Sequence, residues 1–179
     1  TTWVTRAKTG FVTISGISSA TVPAQPAPCS VLDIWHRLDA QCTPFKGWVP
    51  TEVRIQGDEF ELRQALLENR LRVISDGSYK DGIGTAATQL VAKGSNACIL
   101  ILSHVPGTTA DQSPYRSELL GILAGIMGSD WLLQLGPRPP QKCTARFGCD
   151  GLEALRKCFE GKPIGPTIAQ FDVVSTVRA

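Results

Sequence analysis

From Leu71 onward, apolar and polar positions alternate closely enough to predict a run of strands. Leu71 to Tyr79 reads as one strand and Thr85 to Val91 as a second, joined by the Lys80-Asp81-Gly82-Ile83-Gly84 turn, whose residues tolerate positive φ. After Lys93-Gly94-Ser95-Asn96, the apolar stretch from Ala97 to Val105 predicts a third strand. Ser113 then offers an N-cap with Pro114 at the first helical position, where the missing N–H removes no hydrogen bond. Apolar residues continue to Leu135. Leu119, Ile122, Leu123 and Ile126 cover one side of this helix and Leu120, Ala124, Met127 and Trp131 another, so it should pack on more than one face. Gly136-Pro137 and Pro139-Pro140 stop it. Cys143 to Cys149 predicts a fourth strand ending at Asp150, Gly151 to Phe159 a short helix, and Phe171 to Arg178 the start of another.

Upstream the signals are shorter. Trp3 to Ser15 holds two β-prone runs around a Lys8-Thr9-Gly10 turn, and the prolines of residues 20–30 remove backbone donors and predict a loop. Val31, Ile34, Trp35 and Leu38 recur at helical spacing, and Val53 and Ile55 alternate as a brief strand. Asp58 and Glu61 resemble a capping box at the start of a helix ending near Asn69. The order predicts an α/β chain of the α+β kind, a mixed sheet with helices on its faces.

A chain of 179 residues fits one ordinary domain with an appendage. Hydrophobic residues at 42% and charged residues at 19% exclude disorder and fibrous repeats. The balance of 18 basic and 16 acidic residues is too even to indicate a nucleic-acid partner by bulk charge. The longest apolar stretches, 97–102 and 119–127, fall short of the roughly 18 to 20 residues that span a bilayer. No signal-like N-terminus precedes them, so no membrane is expected and an intracellular, non-secreted protein is. The six cysteines contain no CxxC pair, which does not suit zinc; reduced, mostly buried thiols are expected. Because the chain opens at Thr1 and its only methionine is Met127, a segment of something longer is expected.

Three acids occupy awkward places: Asp76 inside an apolar strand, Glu118 near the start of a mostly apolar helix, and Asp150 at a strand end before Gly151. Ionised carboxylates at buried positions are costly unless compensated, and a divalent cation compensates best. A strand–helix–strand crossover can bring all three to one sheet edge, where all-oxygen ligands suit Mg²⁺ or Mn²⁺. Each also has an ordinary structural reading: Asp76 opening an Asp-Gly-Ser turn, Glu118 complementing a helix dipole, Asp150 capping the next helix.

VISDGSYKDGIGTAA, SPYRSELLGILAGI and FGCDGLEAL together resemble the core motifs of the ribonuclease H domain, in the version attached to retroelement reverse transcriptases. The resemblance covers residues 70–179. It implies a ribonuclease H-like fold with the fourth of its strands parallel beside the first, and a retroelement polyprotein around it. It implies that Asp76, Glu118 and Asp150 are catalytic metal ligands, Asp76 bridging two ions roughly 3.5 to 4 Å apart. The implied reaction is hydrolysis of the RNA strand of an RNA/DNA hybrid, with RNA distinguished by its 2′-hydroxyls. Gly77 and Gly151 would allow close approach, and Ser78, Tyr79 and Arg116 are candidate substrate contacts, Arg116 by meeting phosphate.

The sequence also departs from the pattern. The family's fourth carboxylate follows a fifth strand and a histidine-bearing loop, and the chain reaches Ala179 before either. A weakened second cation site, an open sheet edge and little activity are therefore expected. Asp172 fits an N-cap better than a substitute ligand, and Thr88 stands where relatives often carry an aromatic residue. His36 and His104 read as structural, Asp81 and Asp111 as turn residues, and Arg156-Lys157 as a solvated helix face that can also meet phosphate. Residues 1–69 match no motif and by position would connect to a polymerase. The rival readings are a catalytically inactive nucleic-acid-binding or structural remnant, and a DNA nuclease of the transposase or integrase type.

Overall fold

Which edges the central hairpin leaves open decides how the rest of the chain assembles. The computed structural model describes residues 3–6, 11–16, 30–41, 49–137, 139–160 and 170–178. The Lys8-Thr9-Gly10 turn and the proline-rich segment up to residue 29 lie outside them. The elements are β1 (Trp3–Arg6), β2 (Phe11–Gly16), α1 (Val31–Gln41), β3 (Glu52–Gln56), α2 (Glu59–Leu67), β4 (Leu71–Lys80) and β5 (Ile83–Ala92). They continue with β6 (Cys98–His104), α3 (Pro114–Gln134), β7 (Cys143–Cys149), α4 (Leu152–Phe159) and α5 (Phe171–Arg178).

The strands form one mixed sheet in the order β1-β2-β7-β4-β5-β6-β3. β4, β5 and β6 make an antiparallel meander. In the first hairpin Lys80 pairs with Ile83, leaving Asp81 and Gly82 at the tip with φ of 52° and 81°. Two positive φ angles match the twist of the flanking strands, so the turn shrinks to two residues and Ile83 and Gly84 join β5. β7 lies parallel to β4, with Arg72 opposite Arg146 and Ser75 opposite Cys149. Parallel neighbours need a long crossover, and the 21-residue α3 supplies it.

One expectation is corrected here. The outer edge of β7 is not open, because β2 pairs antiparallel along it from Phe11 opposite Gly148 to Gly16 opposite Cys143. An unpaired edge is a row of free N–H and C=O groups, and the N-terminal hairpin satisfies them. β3 extends the same sheet by pairing with β6, and Val31, Ile34, Leu62 and Leu66 belong to the same buried core as Leu71 and Ile122.

The four other described helices all contact α3, which lies across one face of the sheet. Along β4, Leu71, Val73 and Ser75 are buried beneath it, and Arg72, Ile74, Asp76 and Ser78 are exposed on the other face. Gly121, Gly125 and Gly128 let α3 lie close: a Cβ on Gly125 would sit 2.5 Å from Val73 Cγ1 and 2.7 Å from Phe147 Cε1. Thr88, 1% exposed, fills the layer below by donating its hydroxyl to the Gly121 carbonyl at 2.7 Å. In α2 the Asp58 side chain accepts from the Phe60 N–H, and Glu61 accepts from the Ser95 hydroxyl instead of closing the capping box. Among the described residues no helix is long and apolar enough to cross a membrane.

Candidate active site

The site is built around one side chain. Ser113 caps α3 by accepting the Arg116 N–H at 3.0 Å, which fixes where the helix begins and sets Glu118 over β4. Glu118 then passes between two glycines. A Cβ on Gly77 would lie 2.5 Å from Glu118 N and 2.6 Å from Ser117 C, and one on Gly151 would lie 2.9 Å from Glu118 Cγ. At its tip, Glu118 Oε1 accepts the Gly77 N–H at 3.2 Å and Oε2 accepts the Cys149 thiol at 2.9 Å. Strands β4 and β7 thus each hold one oxygen.

Ligand atoms of Glu118, Cys149 and Asp150 lie within 4.8 Å of one another. Asp76 is outside this tight group, yet close enough for its charge to act on Glu118. The expectation of burial needs correction for two of the acids. Asp76 and Asp150 are exposed and only Glu118 is half-buried, because strand alternation turns Asp76 away from α3 and Asp150 lies just past β7. Burial pushes the Glu118 carboxyl above its usual range; the Cys149 and Gly77 hydrogen bonds hold it back, and the Asp150 and Asp76 charges raise it further. The Cys149 thiol is itself pushed up to about 12, first by burial and then by Glu118, so it stays a donor.

None of the ordinary structural roles is filled by these acids. Asp76 lies within β4 and not in a turn, Glu118 is beyond the first turn of α3, and the cap position of α4 is Gly151 with no side-chain bond. Among the described residues no lysine or arginine pairs with any of the three. Neighbouring carboxylates without a counter-charge are a donor set that a hard divalent cation fits.

A pH test follows from the raised Glu118 carboxyl. Its contribution to stability is present below the unfolded value and lost as pH rises through the folded one. Glu118→Gln should therefore gain stability relative to the parent as pH rises from roughly 4 to 7. Mn²⁺ should raise the parent's melting temperature and barely move the variant's. Equal Mn²⁺ shifts in both proteins would remove Glu118 from the cation site.

Of the candidate substrate contacts, Ser78 and Tyr79 are exposed near Asp76, Tyr79 by 40%. Arg116 is not available. It is 5% exposed, donates through Nε to the Pro106 carbonyl at 2.9 Å, bonds Gln170, and forms a two-pronged ion pair with Asp172 at 2.9 and 2.6 Å. A guanidinium fork locked on a carboxylate ties α5 to α3, so Arg116 is a structural cation. Asp172 is in turn neither an N-cap nor a substitute ligand, and the Arg116 hydrogen bonds hold it below the usual carboxylate range. Its contribution is present above the unfolded value and lost as pH falls through the folded one. Asp172→Asn should cost about 2 kcal/mol at neutral pH, since it removes the carboxylate on which the buried guanidinium is forked. Urea unfolding checks this; no change in midpoint would contradict it.

His104 ends β6 with its backbone N–H donated to Thr51, and the His36 and Trp35 ring centroids lie 4.7 Å apart; neither histidine forms an ion pair with the three acids among the described residues. Asp111 accepts from Thr108, as a turn residue does. Cys149 is the site residue that sequence reasoning missed. Its signal is the inward phase it shares with Ala145 and Phe147, directly before Asp150. Compared with protein-family models, curated proteins and solved structures, the chain matches none.

Proposed function

We propose that the chain carries a divalent-cation-dependent nuclease site that hydrolyses the RNA strand of RNA/DNA hybrids, on a ribonuclease H-like fold belonging to a retroelement polyprotein. One observation carries the reading. Glu118 and Asp150 lie together, from a helix and a strand end, with the Asp76 charge from β4 acting on Glu118, and no counter-cation pairs with any of the three among the described residues. These three side chains would hold Mg²⁺ or Mn²⁺, which when bound would activate the attacking water and stabilise the leaving oxygen.

The protein's own groups prepare that chemistry. Gly77 and Cys149 pin Glu118 in one rotamer, so its position costs no reorganisation when substrate arrives. Ser78, on the same face as Asp76, is the hydroxyl we assign to the ribose 2′-OH, and Tyr79 offers an exposed ring to a base. Incubation of an RNA-labelled hybrid with Mn²⁺ tests the reading: RNA cutting that EDTA abolishes is expected. A non-cleaving binding module is the second reading. It is favoured by the fact that both Glu118 oxygens already accept hydrogen bonds, and binding without cutting would select it.

A further inference from the structure

The exposed face of the sheet carries charge that the acid cluster does not account for. On β4, Arg72, Ile74, Asp76, Ser78 and Lys80 share the face turned away from α3, and all are exposed. Arg72 stands four residues before Asp76 and Lys80 four after it, about 13 Å along the strand in each direction. The parallel register sets Arg146 of β7, also exposed, directly beside Arg72. Two like charges in that position repel. By contrast, Arg54 lies on Glu52 and Arg70 on Glu68. Among the described residues Arg72, Arg146 and Lys80 make no ion pair and no side-chain hydrogen bond.

A pair of repelling cations and a third beyond an acid make a poor surface for a protein partner's apolar patch. They fit an anion of repeating charge. We propose that this face is a track for the phosphate backbone of one nucleic-acid strand. Arg72 and Arg146 together hold phosphates on one side of the cut, and Lys80 holds one on the other. From Arg72 to Lys80 the track runs about 26 Å, the reach of about eight stacked nucleotides at about 3.4 Å each. Ile74, 49% exposed between the arginines and Asp76, gives a sugar or base an apolar rest. The placement of the cut at Asp76 rests on the nuclease reading; the binding itself does not.

The test is anisotropy of a fluorescein-labelled RNA/DNA hybrid in EDTA, titrated across salt concentrations. Each cation lost from a phosphate contact should lower the slope of log K against log salt by about 0.9. The triple variant Arg72→Gln, Lys80→Gln, Arg146→Gln should lose about two to three units of slope and bind at least tenfold more weakly. Lys93→Gln, an exposed charge beyond the end of β5, should bind like the parent. Arg72→Lys with Arg146→Lys should keep the slope, showing that charge and not folding is read. Unchanged slope in the triple variant, no binding by the parent, or equal displacement of the hybrid by polyglutamate would each overturn the track. Cutting with an unchanged slope would sink the track alone, and loss of slope without cutting by the parent would sink the nuclease reading alone.

Discussion

Asp76→Asn is expected to reduce hybrid cutting by about a thousandfold relative to the parent, while the melting temperature stays level or rises. The substitution keeps shape and backbone pairing, and Asp76 is exposed, so no packing is lost. What is lost is one anionic oxygen beside Glu118. Cation-mediated stabilisation of the reacting oxygens supplies several kcal/mol, and at about 1.36 kcal/mol per tenfold a loss of about 4 kcal/mol gives this factor. For a slow parent the factor means no cutting above background. Stability moves the other way because the Asp76 charge raises the Glu118 carboxyl, so removing it relieves repulsion. Initial rates in Mn²⁺ beside melting curves read both effects. A variant that cuts within threefold of the parent would remove Asp76 from the site.

Gly77→Ala should be the most damaging single methyl in the site. Its Cβ would meet Glu118 N at 2.5 Å and Ser117 C at 2.6 Å, both backbone atoms of α3, so no side chain can rotate away. The helix start must lift from β4, which disturbs the Ser117 hydroxyl bond to the Ser78 carbonyl and the Gly77 bond to Glu118. Overpacking of this kind costs about 3 kcal/mol, which for a chain of this length lowers the melting temperature by about 6 to 12 °C. Gly94→Ala is the contrast. At φ +89° it is strained, but nothing lies within 4 Å of its Cβ, so it should cost about 1 kcal/mol from backbone conformation alone. If the two variants melt together, the close approach of α3 to Gly77 is wrong.

Local rules reach as far as the elements and stop at their partners. Ser113-Pro114 announces α3, and Asp81-Gly82 announces the hairpin, because a cap and a positive-φ turn are chemistry of adjacent residues. The mixed sheet follows from an antiparallel meander and one crossover helix. That β2 would close the edge of β7 was not legible, since main-chain pairing across more than a hundred residues leaves no mark in either segment. The Arg116–Asp172 pair is hidden for the same reason: Arg116 looks like a phosphate contact and Asp172 like an N-cap until α5 is seen against α3. The exposure of Asp76 is legible in the strand itself. In Leu71-Arg72-Val73-Ile74-Ser75-Asp76, Leu71 and Val73 set the inward phase on odd numbers, with Ile74 an exposed exception, and that phase puts Ser75 inward and Asp76 out. Apolar neighbours alone suggested burial; the alternation decides it.

The central claim, that Asp76, Glu118 and Asp150 form one cation-dependent RNA-cutting site, is tested most directly by one strand-resolved cleavage assay. A hybrid labelled differently on each strand is incubated in Mn²⁺ with the parent, with Asp76→Asn, and with the parent plus EDTA. The account predicts that the RNA strand alone shortens with the parent, and that neither strand changes in the other two. Equal cutting of the DNA strand, or RNA cutting by Asp76→Asn at the parent's rate, would contradict it.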